Sequence, residues 1–126
     1  MYMKLNNDEI NKELYSTKEA ITYFLLGYYN TKSNNILDII KSIEKQMKIV
    51  NKDKVLDNYY CQYLTINRAD LKLTKKQIIS YSYIVGHEIS KCQKRPHSFE
   101  IICVFNKILE IFTPEQAERK LEMLDS

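Results

Sequence analysis

Seven basic side chains crowd one part of this sequence. Arg68, Lys72, Lys75, Lys76, Lys91, Lys94 and Arg95 fall within residues 68–95 against Asp70 and Glu88 alone, a local excess of five positive charges on a chain of net charge +3. Such a patch is the electrostatic footprint of a protein that meets a polyanion, and it equally suits a solvated basic face. His87, Cys92, His97 and Cys103 lie in or just beyond it. These residue types bind zinc, but their spacings match no familiar ligand pair such as Cys-x-x-Cys, so no metal and no other cofactor is expected. The chain has two glycines in all, no glycine-rich phosphate loop, and no evident Ser, His and acid arrangement, so no enzyme activity is expected. Ten tyrosines raise the possibility of base stacking. Most sit at helical spacing beside Leu and Ile, which favours core or interface.

The elements that must position these groups are helical. Two Gly and two Pro in 126 residues, with no Asn-Gly hairpin dipeptide, argue against an all-β fold. Ser16 and Glu19 form a capping-box signature ahead of "TKEAITYFLLGYYN", where Ile21, Phe24, Leu25 and Tyr28 share one helical face. "NTKSNN" reads as a turn, and Ser33 to Asn35 can cap a second helix over roughly residues 35–50. There Ile36, Ile39, Ile40, Ile43 and Met47 make an apolar stripe, with lysines on the other side. Residues 1–54 thus read as an N-terminal helical hairpin, closed by the polar connector "NKDK". From Val55 the helical signal resumes through "VLDNYYCQYLTINRADL". Thr74 with Gln77 starts a short helix at Lys75, "SYSY" ends it, and another helix is expected over about 86–93. Pro96 disfavours helix at Arg95, Ser98 can cap a helix from Phe99, and Thr113-Pro114 opens the last one.

Cys61, Cys92 and Cys103 are odd in number and lie among apolar residues, which reads as buried, reduced thiols of a cytoplasmic protein. The opening "MYMKLNNDEINKEL" has no apolar segment of signal-peptide type, and no apolar run of membrane-spanning length follows, so no membrane partner is expected.

Residues 58–124 resemble the lambda-repressor-like helix-turn-helix, the Xre or Cro family. Leu73-Thr74-Lys75 stands at the Leu-Thr-Gln opening of that pattern. Ile78 and Ile79 take its apolar and small positions, and Ile84 the apolar turn position. Ile89-Ser90-Lys91 matches its Ile-Ser-basic run, and Lys94-Arg95-Pro96-His97-Ser98-Phe99 its basic loop and next helix start. The chain departs from the pattern at Lys75 for Gln, Ile79 for Ala, Tyr83 for the turn Gly and Gln93 for Glu.

The resemblance implies an all-α fold: the N-terminal hairpin followed by a five-helix helix-turn-helix bundle over residues 55–126. It further implies a small, dimeric, sequence-specific regulator that binds double-stranded DNA. Val85, Gly86, His87, Glu88 and Lys91 would face base edges from the helix at about 86–93, while Lys75, Lys76, Lys94 and Arg95 would hold phosphates. Glu88 suits either a cytosine amine or plain solvent. Ile78, Ile84, Ile89, Cys92, Phe99, Ile102 and Leu109 would face inward, with Cys103 also in the core. The Tyr28-Tyr29 pair and the Ile36–Met47 stripe would form a dimer or partner interface. The competing expectation is a non-catalytic helical protein-binding module, of antitoxin, immunity or mobile-element inhibitor type, that has lost DNA binding.

Overall fold

The computed structural model describes residues 13–58, 64 and 70–125, and these form an all-helical structure. Its helices are α1 (Thr17–Thr31), α2 (Ile36–Ile49), the single turn α3 (Lys52–Val55), α4 (Lys75–Ser90), α5 (Ser98–Ile111) and α6 (Pro114–Asp125). Much of the stretch expected to run on from Val55, including Tyr59, Cys61 and Arg68, lies outside the described residues.

Helix starts follow local chemistry closely. Ser16 and Glu19 close a reciprocal capping box on α1, and Thr74 and Gln77 do the same on α4. Asn35 accepts from Leu37 and Asp38 to start α2, and Thr113 and Gln116 exchange bonds at the start of α6. Each such cap satisfies N–H groups that the helix leaves open, worth about 1 kcal/mol. The helix after Pro96 begins one residue earlier than the Ser98 signal suggested, with His97 at the cap and its N–H donated to Glu100. α1 ends on Lys32, the only non-glycine residue with positive φ among those described, at 59°.

α1 and α2 form the expected hairpin, and Gly27 permits their closeness. A Cβ at Gly27 would fall 2.7 Å from both Cα and N of Ile43, inside any real contact distance. The Ser42 hydroxyl adds a 2.6 Å bond to the Gly27 carbonyl at the same crossing. α2 also packs on α4, and α1 on α5. Phe24 of α1 meets Phe105 of α5 edge to face with centroids 5.7 Å apart. Apolar contact therefore runs from residues before the 51–54 connector to residues well after it, in one cluster. A two-bond antiparallel bridge between Tyr15 and Leu73 ties the chain ahead of α1 to the chain ahead of α4. The Thr17 N–H donates to Asp70, and Leu71 donates back to the Thr17 hydroxyl. Beside this bridge, burial and the nearby Glu19 and Glu13 carboxylates raise the phenol pKa values of Tyr15 and Tyr23.

The largest departure from expectation is α4. The sequence predicts two short helices with a turn at Tyr83; the structure has one helix of 16 residues through that point. No proline or glycine interrupts residues 75–85, and Ser and Tyr are only modestly worse helix formers than Leu or Lys. Tyr81, at its centre, is fully buried, and its hydroxyl donates to the Phe112 carbonyl at 2.7 Å, so the supposed turn is pinned as helix. α4 stops at Ser90, and residues 91–93 of the expected second helix lie in the following loop.

Two further corrections concern the core. Ile78, Ile84, Ile89, Ile102 and Leu109 are buried as expected, but Phe99 is 70% exposed, and Cys92 and Cys103 are exposed as well. "SFEIICVFNKILEI" is apolar almost all round, so more than one stripe at spacing 3 to 4 can be drawn through it. The stripe that packs is centred on Ile101, Phe105, Ile108 and Leu109, roughly a third of a turn from Phe99.

Candidate functional site: a groove between α4, α5 and α6

The residues expected to touch DNA are spread along α4 and the loop that follows it. Val85 and Gly86 are buried. His87 and Glu88 are exposed at the end of α4, and Lys91, at its cap, lies 3.5 Å from the Glu88 carboxylate. Lys75 and Lys76 stand at the other end of the same helix, about 24 Å away at 1.5 Å per residue. Lys76 there is 3.6 Å from Glu122 of α6. Lys94 is exposed in the 91–97 loop.

Arg95 has a structural occupation. Its guanidinium donates to the Tyr28 carbonyl at 2.7 Å and lies over the Tyr28 ring, 4.3 Å from the centroid. That carbonyl belongs to the last turn of α1, where helical partners are missing, so Arg95 caps α1 from a distant loop. Tyr29 makes the companion bond, donating its hydroxyl to the Pro96 carbonyl at 3.1 Å. The tyrosine pair expected to be exposed for a dimer interface is instead a clamp within the chain. Tyr28 is fully buried and Tyr29 half-buried. Ile39, Ile40 and Ile43 of the α2 stripe are buried too.

On the other side of the 91–97 loop the surface opens. A groove of about 710 Å³ runs between the end of α4, the loop, α5 and the middle of α6. Its apolar lining includes Ile84, Ile89, Val104, Ile108, Ile111 and Phe112. His87, Glu88, Glu100, Lys91, Lys107 and Lys120 rim it. A shallower depression of about 240 Å³ continues it along α6, sharing Ile111, Phe112 and Lys120 and adding Gln116, Arg119 and Met123. Ile111 is 55% exposed and Met123 71% exposed along this track. An apolar floor with a polar rim, in this size range, is the ordinary form of a binding site.

No family model matches the chain, and no curated protein or solved structure is significantly similar to it. The helix-turn-helix resemblance therefore stands on the quoted residues alone.

The groove unites three of the residues singled out from sequence, His87, Glu88 and Lys91, with others that sequence reasoning passed over. Ile111 and Phe112 carried a signal: two large apolar residues just before the Thr113-Pro114 helix start. Lys107, Arg119 and Lys120 were unremarkable surface charges until α5 and α6 were placed. Among the described residues, no cluster of three His, Cys, Asp or Glu side chains suits a metal ion, and no helix is long and apolar enough to cross a membrane.

Proposed function

We propose that this chain is a non-catalytic helical binding module whose working face is the groove between α4, α5 and α6, and whose ligand is another protein. The observation that carries this reading is the exposed apolar track itself. Ile111 and Met123 lie open beside a walled groove, while the apolar stripe of the N-terminal hairpin is spent on the chain's own core. A contiguous apolar surface with a polar rim is what protein interfaces need, with apolar and aromatic groups at the centre and charge outside. The wall is firm, because the Arg95 and Tyr29 bonds fix the 91–97 loop from behind.

DNA binding is the second reading. Lys75 and Lys94 form no ion pair among the described residues, and Lys76 and Lys91 are exposed, so sequence-independent phosphate contacts are open to them. Insertion of a helix at 86–93 into the major groove finds no support in a continuous α4 with Val85 inside.

One comparison separates the two readings. The full chain is recovered from its native cells as wild type, as Ile111→Asp with Val104→Glu, and as Lys75→Ala with Lys94→Ala. The binding-module reading expects a stoichiometric protein partner that the groove variant loses and the lysine variant keeps, at unchanged Tm. Recovery of nucleic acid, lost in the lysine variant and kept in the groove variant, would replace it with the DNA reading.

A further inference from the structure

The charges around the groove are unequal in how they are used. Both carboxylates on its rim are engaged: Glu88 lies 3.5 Å from Lys91, and Glu100 accepts the His97 N–H at the start of α5. Lys107, Arg119 and Lys120 form no ion pair among the described residues. All three flank the track on which Ile111 and Met123 are exposed. The acids of α6 do not compensate them. Gln116, Arg119, Lys120 and Met123 share the groove face of that helix; Glu118 lies well around it, Glu122 sits against Lys76, and Glu115, one turn before Arg119, forms no ion pair with it. The track is therefore an apolar strip bordered by unspent cations. It is also elongated, since the two depressions join at Ile111 and Phe112.

We infer that the occupant of this track is an acidic amphipathic helix of a partner protein, its apolar stripe laid on Val104, Ile111 and Phe112 and its carboxylates reaching Lys107, Arg119 and Lys120. Helix-in-groove recognition uses apolar anchors at i, i+3, i+4 and i+7, which a strip between helices accepts directly. The flanking charges select the partner: an acidic helix gains three contacts, and a basic one meets repulsion at the same places. The inference rests on the reading of the groove as a protein-binding face.

The test uses two identically labelled helical peptides of roughly 20 residues, about 30 Å long. They share one Leu, Ile and Phe stripe, with Glu on the polar face of one and Lys on the other. Each is titrated into the full-length protein and followed by fluorescence anisotropy. Three weak attractions for the acidic peptide set against three repulsions for the basic one are expected to make the acidic peptide bind about tenfold tighter. That gap should shrink as salt rises toward about 0.5 M. Lys107→Glu with Lys120→Glu should invert the preference, and Ile111→Asp should abolish binding of both peptides. Equal binding of the two peptides, still abolished by Ile111→Asp, would overturn the acidic-helix inference while leaving the groove reading in place. Binding of neither peptide, with dodecanoate or a second copy of the chain taking the groove instead, would overturn the inference in favour of that occupant. Peptide binding that is indifferent to Ile111→Asp would overturn both.

Discussion

The two sides of the 91–97 loop teach opposite lessons about this chain. Behind the loop, α1 and α2 press together until only a glycine fits at residue 27, and Arg95 and Tyr29 fasten the loop to the end of α1. In front of it, α4, α5 and α6 leave a groove with large apolar side chains in the open. Among the described residues, α2 of the closed side shows no continuous apolar track. Leu37 and Ile49 are exposed on α2, but they stand near its two ends, about 18 Å apart. Isolated apolar residues of that kind are ordinary surface. The open side has a continuous track. The same helices thus divide between holding the fold and presenting a face.

Five substitutions would break or sharpen that contrast, beginning with the largest expected effect. Gly27→Ala should be severe, because its methyl group would meet Ile43 backbone atoms and not the end of a flexible side chain. Overpacking of this kind costs about 1–3 kcal/mol and sometimes more, so a loss near the top of that range is expected in urea unfolding. An unchanged midpoint would mean that the closed side is not close-packed. Arg95→Ala removes a charged bond to a helix-end carbonyl and a ring contact at once. A loss of about 2 kcal/mol is expected, with Tyr29→Phe smaller in the same direction. If Arg95→Ala instead left stability intact and weakened only DNA binding, the residue would be a phosphate contact after all.

The second glycine should behave in the opposite way from the first. Gly86 sits inside α4, and beyond its chain neighbours and the backbone of its own helix no described atom lies within 4 Å of where its Cβ would stand. Ala at a helix interior is better than Gly by about 0.5–1 kcal/mol, so Gly86→Ala should raise Tm by a few degrees. Lys32→Gly should stabilise by a similar or smaller amount, since Lys32 holds the left-handed conformation that glycine adopts without strain. Loss of Tm in either variant would show that contacts of the native residue matter more than its backbone.

What the sequence made legible was local. The capping residues of α1, α2, α4 and α6 were readable because a Ser, Thr or Asn side chain accepts from the first turn of its own helix without help from elsewhere, with Glu or Gln reciprocating in α1, α4 and α6. Pro96 marked a break for the same reason. What was not legible depended on distant partners. "SYSY" reads as a helix end when taken alone, and only the burial of Tyr81 against Phe112 shows it as helix interior. Arg95 is one more positive charge in a basic cluster until the end of α1 is placed beside it. Phe99 and Cys103 fit an inward stripe as well as their neighbours do, and the packing of α5 on α1 and α4 decides the phase. Of the candidate site, His87, Glu88 and Lys91 were found for a different reason from the one that now groups them. The lysines and arginine of α5 and α6 came into view only through the fold.

The most direct test of the groove compares the two sides by proximity. A photo-crosslinking amino acid is placed at Ile111 in one version of the full chain and at Leu37 in another; the two positions are similarly exposed, at 55% and 60%. Irradiation in native cells should yield one dominant protein adduct from position 111 and no discrete adduct from position 37. A discrete adduct from position 37 with none from 111, or cross-linking of 111 to nucleic acid alone, would contradict the assignment of the open side as the protein-binding face.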